Sequence, residues 1–245
     1  ELLKKDGLAA DHIDEVWRRF TETYFLRHTS EEIAWHTQLL APRKLADLTP
    51  LVSVRLQSGR GGSAVFTYTP HSERTFARTT AVLDQLGLSI VDARITPTSD
   101  GFSLDTYHVL EDTGGEIVEQ ARIADIEHQL ARALAESADR PLTVTRRAPR
   151  QVRMFSTPTQ INFSLDSVNQ RTIMELIAAD RPGLLSEVAK VLVASRVDIY
   201  TSKIVTVGER AEDVFYLTDE GGQPLSAEAQ QVLEERLVAA LDARS

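Results

Sequence analysis

A six-residue stretch in the second half of the chain, Asp180-Arg181-Pro182-Gly183-Leu184-Leu185, could bind a small carboxylate ligand. An apolar, strand-like run at 172–178 precedes it and apolar residues at helical spacing follow it, which predicts a strand-to-helix turn. The N–H groups at a helix start attract anions, and Gly183 has no side chain to keep a ligand away. Asp180 could accept a hydrogen bond from a ligand's ammonium group. Such a turn is also common where no ligand binds.

The same stretch predicts a local hydrogen-bonding pattern. We expect Asp180 to be the N-cap of the helix and to accept a hydrogen bond from the Gly183 N–H. We expect Pro182 in the first helical turn, where its missing N–H costs nothing. A carboxylate that is fully used as a cap would not be available to a ligand.

The stretch lies in one of two similar halves of the chain. From about residue 50 the predicted order is strand, helix, strand, strand, helix, strand, with one extra strand in front. A shift of 109 residues aligns His71 with Asp180 and also matches apolar positions along the halves. The matched pairs include Val52 with Ile161, Val82 with Val191, Leu83 with Leu192 and Ile95 with Ile204. Agreement at core-type positions indicates a duplicated domain.

The two halves differ at their predicted ends. The first half closes with a short predicted strand at 142–145, whereas the second half ends after its last helix, at 226–241. The extra strand at 161–164 would then fill a sheet edge that otherwise stays unpaired. We expect the arginine- and proline-containing stretch between the halves to be a solvated linker.

The composition excludes several classes of function. A net charge of −9 disfavours non-specific binding to nucleic acid. No run approaches the roughly 20 apolar residues of a membrane helix. The absence of cysteine excludes disulfides and thiolate catalysis and fits a cytoplasmic location. The histidines are scattered without metal-ligand spacing, so we expect neither a metal site nor a catalytic site.

The chain begins with a helical pattern. Its apolar stripe consists of Ile13, Val16, Trp17, Phe20 and Tyr24. The predicted domains are a helical segment at 1–47, a first unit at 48–148 and a second unit at 149–245. The predicted fold class is α+β, with two ferredoxin-like βαββαβ units that each have an extra N-terminal strand. Because the chain starts at Glu1 rather than methionine, we interpret it as a fragment or a processed chain.

A duplicated βαββαβ unit with Asp-Arg-Pro-Gly after its first core strand resembles tandem ACT domains, which are regulatory modules that bind amino acids. The runs 24–28 and 32–36 are similar to the segment before the ACT pair in bacterial bifunctional PII uridylyltransferase/uridylyl-removing enzymes. Further runs that fit this family are Arg60-Gly61-Gly62, Asp92-Ala93-Arg94-Ile95, Asp105-Thr106 and the stretch from Val207 to Asp213. The resemblance covers nearly the whole chain.

The resemblance implies a regulatory role within a longer enzyme. In that family a nucleotidyltransferase domain, which requires Mg²⁺, attaches UMP to PII, and an HD hydrolase domain removes it. Glutamine sensed by the ACT pair switches between these activities in nitrogen regulation. This chain has no His-Asp dipeptide, and its glycine cluster at 59–63 lacks both a downstream Asp-x-Asp and a P-loop lysine. We therefore expect no catalysis and no cofactor here, with L-glutamine and PII as partners and no nucleic acid or membrane.

The resemblance also implies a position for the ligand. In ACT pairs the neighbouring domain usually adds a polar residue near the start of its second strand, here Ser89 in the first copy and Asp198 in the second. The main predicted site is therefore the 180–185 loop with Ser89. A weaker second site consists of His71, Ser72, Arg74 and Asp198. It is weaker because the first copy lacks the proline and glycine that open the backbone to a ligand.

Two alternatives stay open at this point. The ACT pair could be an interaction module that binds no small ligand and docks catalytic domains or a protein partner. The altered first loop slightly favours this alternative, whereas the intact 180–185 loop favours sensing. The other alternative is a stand-alone enzyme, but the sequence shows no nucleophile–base pair that could support catalysis.

Asp105 and Asp213 occupy the same position in both copies, and we expect them to form hairpin or cap hydrogen bonds rather than to act in catalysis.

Overall fold

The computed structural model describes residue 3 and residues 8–44, 46–56, 61–72, 74–136, 157–208 and 210–242. Three helices come first, namely α1 (Ala10–Trp17), α2 (Glu22–Arg27) and α3 (Ser30–Leu40). The first unit consists of β1 (Leu51–Leu56), β2 (Ser63–Pro70), α4 (Thr75–Gln85), β3 (Leu88–Pro97), β4 (Phe102–Glu111) and α5 (Gln120–Ala135). The second unit consists of β5 (Gln160–Asp166), β6 (Arg171–Ala179), α6 (Leu184–Ala194), β7 (Val197–Lys203), β8 (Thr206–Val207), β9 (Arg210–Asp219) and α7 (Ala227–Asp242).

The units are two copies of one structure, as the sequence predicts. Helices α4 and α6 begin and end 109 residues apart, and strands β4 and β9 begin and end 108 residues apart. The copies share an irregularity as well. The pairing of β3 with β4 shifts register between Ile90 and Asp92, and the pairing of β7 with β9 shifts between Ile199 and Thr201. Because the β-bulge occurs at equivalent positions in both copies, it is a regular feature of this fold.

Each unit has one antiparallel sheet, in the order β1-β2-β4-β3 or β5-β6-β9-β7, with β8 paired to β9. The predicted α+β class is confirmed. The extra N-terminal strand of each copy is the edge strand beside the first core strand, with Val52 opposite Thr67 and Ile161 opposite Leu176. This confirms that the 161–164 strand fills the edge. The predicted final strand at 142–145 and the predicted domain boundary at 148 lie outside the described residues.

The two units pack side by side and share one hydrophobic core. Strand β3 lies beside β7, and helix α4 lies beside α6. The Phe76 ring on α4 lies 6.4 Å from the ring of Tyr107 in its own unit and 6.4 Å from the ring of Phe215 in the other. Apolar side chains from both units are continuous in this core. The units are therefore paired side by side through β3 with β7 and α4 with α6.

The N-terminal helices cover the outer face of the first sheet. Aromatic residues of the helical stripe pack on Phe66, Tyr68 and Phe102 of strands β2 and β4. Helix α3 begins with the predicted capping box, since the Thr29 N–H donates to the Glu32 carboxylate at 2.8 Å and the Glu32 N–H donates back to the Thr29 hydroxyl. Within the described part of the chain, no helix is both long and apolar enough to cross a lipid bilayer.

A buried ion pair attaches these helices to the first unit. The Arg94 guanidinium on β3 donates to both oxygens of Glu32, at 2.5 and 3.1 Å, and to the Arg27 carbonyl at 2.8 Å. Burial opposes ionisation of Glu32, but the bonds from Arg94 and Thr29 outweigh it and lower the pKa of this carboxyl to about 2. The pair is therefore ionised at neutral pH.

The helical segment also reaches the second unit. The Arg27 guanidinium donates to the Thr201 hydroxyl on β7 and lies 5.9 Å from the centre of the Tyr216 ring on β9. Its carbonyl accepts from Arg94 of the first unit. One turn of helix is thus bonded to both units at the place where β3 and β7 run side by side.

Candidate functional site

The start of helix α6 differs from the predicted local structure. Gly183 is the N-cap, with φ of 81°, and no side chain caps the helix. The helix begins at Leu184, so Pro182 lies before the first turn and Asp180 lies three residues before the cap. The predicted cap bond from Gly183 to Asp180 is therefore wrong. The physical reason is that a glycine at positive φ can end the incoming loop by backbone geometry alone, without a side-chain acceptor.

Two N–H groups at this helix start are available. The Leu184 N–H donates to the Arg181 carbonyl at 3.1 Å, and the Glu187 N–H donates to the Gly183 carbonyl at 2.9 Å. Among the described residues, nothing accepts from the N–H groups of Leu185 and Ser186. These groups lie at the positive end of the helix dipole, where a carboxylate is favourable.

The Asp180 carboxylate is partly buried beside this helix start. Burial raises its pKa, and a hydrogen bond from the Arg181 N–H acts in the opposite direction. Since Asp180 is not the N-cap, most of its acceptor capacity is not used by the backbone. Proximity to Asp180 also raises the pKa of Asp213, so the two carboxyl groups lie within electrostatic reach of each other.

Asp213 lies on β9 and faces the helices, and its side chain is 1% exposed. One carboxylate oxygen accepts from the Val205 N–H at 3.2 Å, and the other has no partner among the described residues. Burial first, and then the charge of Asp180, raise its pKa to about 7. The predicted hydrogen bond to the backbone is present, but it reaches only one of the two carboxylate oxygens.

Asp105 is the equivalent residue of the first unit and has more partners. Its carboxylate accepts from the Ser103 hydroxyl and, at 3.4 Å, from the Tyr107 hydroxyl. At the matching positions the second unit has Ala211 and Phe215, which carry no hydroxyl. Our reading of the sequence treated the two aspartates as equal and missed this difference. Comparison of the two copies at 103/211 and 107/215 would have revealed it.

The partner strands proposed for the two loops are placed differently. Ser89 is exposed at the start of β3, and no hydrogen bond joins it to the 180–185 loop within the described residues. In the other predicted site, burial raises the pKa of Asp198 and the charge of His71 opposes this, so His71 lies within electrostatic reach of Asp198 at the start of β7. The structure thus brings together two members of the weaker site.

The loop of the first unit also borders a cavity of about 720 Å³. Its walls include His71, Ser72 and Arg74 together with residues 46–50 and 134–136, and Asp198 does not line it. The polar groups of this loop are largely used. The Ser72 hydroxyl accepts from the Arg74 N–H at 3.3 Å, and Arg78 donates to the carbonyls of Ala133 and Glu136 at 2.9 and 2.6 Å. The cavity therefore offers space, but few unused polar groups.

The N-terminal helices match a family model described as "Uridylyltransferase GlnD fifth domain", over residues 1–39. A bifunctional uridylyltransferase/uridylyl-removing enzyme from Methylococcus capsulatus is 43% identical over 237 residues, which cover 97% of this chain and 27% of the relative. The enzymes of the same description from Pseudomonas syringae and Azotobacter vinelandii are 40% identical over 230 residues, covering 92% of this chain and 26% of each relative.

A crystal structure of aspartate kinase from Synechocystis aligns with 75% of this chain and 28% of its own at 15% identity, with a TM-score of 0.42, a likeness too low to support an argument. The sequence matches are much stronger, and they extend through the helical segment and both units. The chain spans about a quarter of the length of the curated relatives that it matches. By sequence, it therefore belongs with the C-terminal region of the bifunctional uridylyltransferase/uridylyl-removing enzymes.

Proposed function

We propose that this region senses free L-glutamine and thereby regulates a cytoplasmic enzyme that adds UMP to the PII protein and removes it by hydrolysis. The ligand site is the 180–185 loop of the second unit, with Ser89 of the first unit as a further polar contact. The observation that carries the proposal is the start of helix α6. It presents the unused N–H groups of Leu185 and Ser186 behind a glycine, next to an aspartate that is not the cap.

These groups match the carboxylate and the ammonium group of a free amino acid. A carboxylate at the helix start would accept from the free N–H groups, and an ammonium group would donate to Asp180. Glutamine adds a neutral amide, which needs polar partners of its own and distinguishes it from glutamate. The choice of glutamine comes from the resemblance of the sequence to tandem ACT regions that sense it, since the loop alone fits any small amino acid.

Regulation requires two arrangements of the region that bind glutamine with different affinity. The α2 turn is well placed to transmit such a change. Arg27 contacts Thr201 on β7, and its carbonyl accepts from Arg94 on β3, so a shift between the two strands would move the helical segment. In this proposal the catalytic domains of the longer enzyme respond to that movement.

Titration calorimetry of L-glutamine into the chain tests the proposal, with glutamate and asparagine as controls. We expect saturable heat for glutamine and at least about tenfold weaker binding after Asp180→Ala, the loss expected for one charge-assisted hydrogen bond. Asp198→Ala, in the weaker predicted site, should leave this affinity unchanged. Absence of heat at millimolar glutamine would contradict the proposal.

Gly183→Ala gives a second, independent prediction. An alanine at a φ of 81° costs about 1–2 kcal/mol, and its methyl group would narrow the approach to the helix start. Gly222→Ala is the matched control, because Gly222 has a φ of 73° with open space around it and lies in the turn after β9. Both variants should lose similar stability in urea denaturation, whereas only Gly183→Ala should lose glutamine binding. Equal affinity in the two variants would argue against this position for the ligand.

A second candidate function is docking without a small ligand. The observation that favours it is the packing of the N-terminal helices on the outer face of the first sheet, against Phe66, Tyr68 and Phe102. The first unit thereby already acts as an attachment surface for a preceding segment. A region that only attached the catalytic domains would need this face and would not need the unused groups at the start of α6. The calorimetric experiment separates the two functions.

A further inference from the structure

The second unit contains a buried carboxylate that is not fully hydrogen bonded. The Asp213 side chain is 1% exposed, and one of its oxygens has no partner among the described residues. A buried charge without partners is costly, so such a group needs either a proton or a cation. Asp180 lies within electrostatic reach, and it adds a second negative charge instead of relieving the first.

Among the described residues, no cationic side chain forms an ion pair with Asp180 or Asp213. Within the described chain, the hydrogen-bonding and charge partners of the pair are the N–H groups of Arg181 and Val205 and the two carboxylates themselves. The Arg181 side chain instead reaches the Leu241 carbonyl, at 3.5 Å. The described residues thus supply no positive group to this site, and a bound ligand could supply one.

The first unit differs from the second in the partners of its equivalent aspartate. There the Asp105 carboxylate accepts from the hydroxyls of Ser103 and Tyr107 and needs no external partner. The second unit has replaced these partners with Ala211 and Phe215. It has also gained two buried hydroxyls without partners, on Ser186 and Ser202, where the first unit has Ala77 and Ala93. The second copy has therefore lost the two hydroxyl donors beside its aspartate.

We propose that Asp213 and Asp180 together bind the ammonium group of the amino-acid ligand, and that the second unit is the only one of the two that does so. The inference rests on the proposed function and adds to it a buried binding residue and a stoichiometry of one. An ammonium group has three donors and can serve both carboxylates at once. Burial of the pair makes this contact strong, because there is little water to compete with it.

The chemistry predicts a preference among ligands. L-glutamine should bind at least about tenfold more tightly than 4-carbamoylbutanoate, which is glutamine without its amino group, since hydrogen bonds to charged groups are worth roughly that factor or more. The two ligands share the carboxylate and the amide. The difference between their affinities therefore isolates the contact made by the ammonium group.

Four variants of the whole chain test the role of Asp213 by titration calorimetry with both ligands. Asp213→Asn keeps the shape and removes the charge, and the double change Ala211→Ser with Phe215→Tyr keeps the charge but restores the partners of the first unit. Both should weaken glutamine binding by about 10- to 100-fold and remove the preference over 4-carbamoylbutanoate. Asp105→Asn and Glu212→Gln, the latter at a half-buried position, are the matched controls and should change neither. Thermal unfolding verifies that every variant is folded.

The outcomes separate this inference from the proposed function. If wild type binds one glutamine and Asp213→Asn binds it equally well with the preference intact, the inference fails and glutamine sensing stands. If Asp105→Asn weakens binding as much as Asp213→Asn, or two glutamines bind, the assignment to the second unit is wrong. If wild type does not bind glutamine, both fail.

Discussion

Replacing Glu32 with alanine is expected to lower the free energy of unfolding by about 3–5 kcal/mol, the cost of removing one partner from a buried ion pair. Glu32 is 1% exposed and holds both bonds to the Arg94 guanidinium, together with the bond from the Thr29 N–H that caps helix α3. The variant leaves Arg94, at the junction of the units, with only the longer ion pair to Asp92, at 3.8 Å, to balance its charge. The helical segment should then detach from β3 while the two sheets remain folded.

Urea denaturation measures the stability loss, and limited proteolysis at residues 10–40 reports the detachment. Glu31→Ala is the matched control, because Glu31 is the exposed neighbour on the same helix and should cost no more than about 0.5 kcal/mol. Because the pKa of Glu32 is lowered to about 2 from an ordinary 4.5, its stabilisation is present above pH 4.5 and is lost as the pH falls towards 2. Similar losses in the two variants would show that the ion pair does not hold the segment.

Asp213→Asn is expected to have the opposite effect and to stabilise the protein at pH 8. The pKa of Asp213 is raised from 3.8 to about 7, so the folded state retains a proton that the unfolded state has lost. Stability therefore falls as the pH rises from 3.8 to 7, and above 7 the folded protein carries the full cost of the buried charge. That cost is at most about 4 kcal/mol, which is the upper limit of the gain from asparagine.

Urea denaturation across pH 4 to 8 measures this effect. The gain should be largest at pH 7–8 and should shrink towards zero as the pH approaches 4. Glu212→Gln removes one negative charge from the opposite face of the same strand, where Glu212 pairs with Arg210, and should change stability by no more than about 0.5 kcal/mol. A pH-independent gain in Asp213→Asn, or a loss at pH 8, would mean that the carboxylate has partners when the ligand is absent.

Stabilisation by Asp213→Asn together with loss of binding would identify a trade-off between stability and function. The second unit keeps a buried carboxylate at a cost to its own stability, and in our proposal an ammonium group offsets that cost when it binds. Functional groups held in unfavourable surroundings are a common reason why binding sites are less stable than the scaffolds around them. In the first unit burial also raises the pKa of Asp105 to about 7, but Ser103 and Tyr107 donate to its two oxygens, so no external donor is needed there.

Local sequence patterns determined most of the fold. Alternating apolar residues specified the strands, and the 109-residue repeat predicted two copies whose helices correspond residue for residue, because both copies must bury the same faces. The capping box at Thr29 and Glu32 formed as predicted, since both partners lie within one helical turn. The edge position of the extra strand in the second copy also followed from the sequence, because an unpaired core strand would leave its backbone unsatisfied.

Only the tertiary structure distinguished aspartates that the sequence patterns could not tell apart. Asp180 is a residue type that commonly forms an N-cap. The N-cap is nevertheless Gly183, with a φ of 81°, so the Asp180 carboxylate remains available. Asp105 and Asp213 share a position in the repeat, and only the side chains folded against them distinguish a satisfied carboxylate from an unsatisfied one. Burial, and the identity of neighbours far away in sequence, set the cost of a charge, so a one-dimensional pattern could find these aspartates and could not assign them different roles.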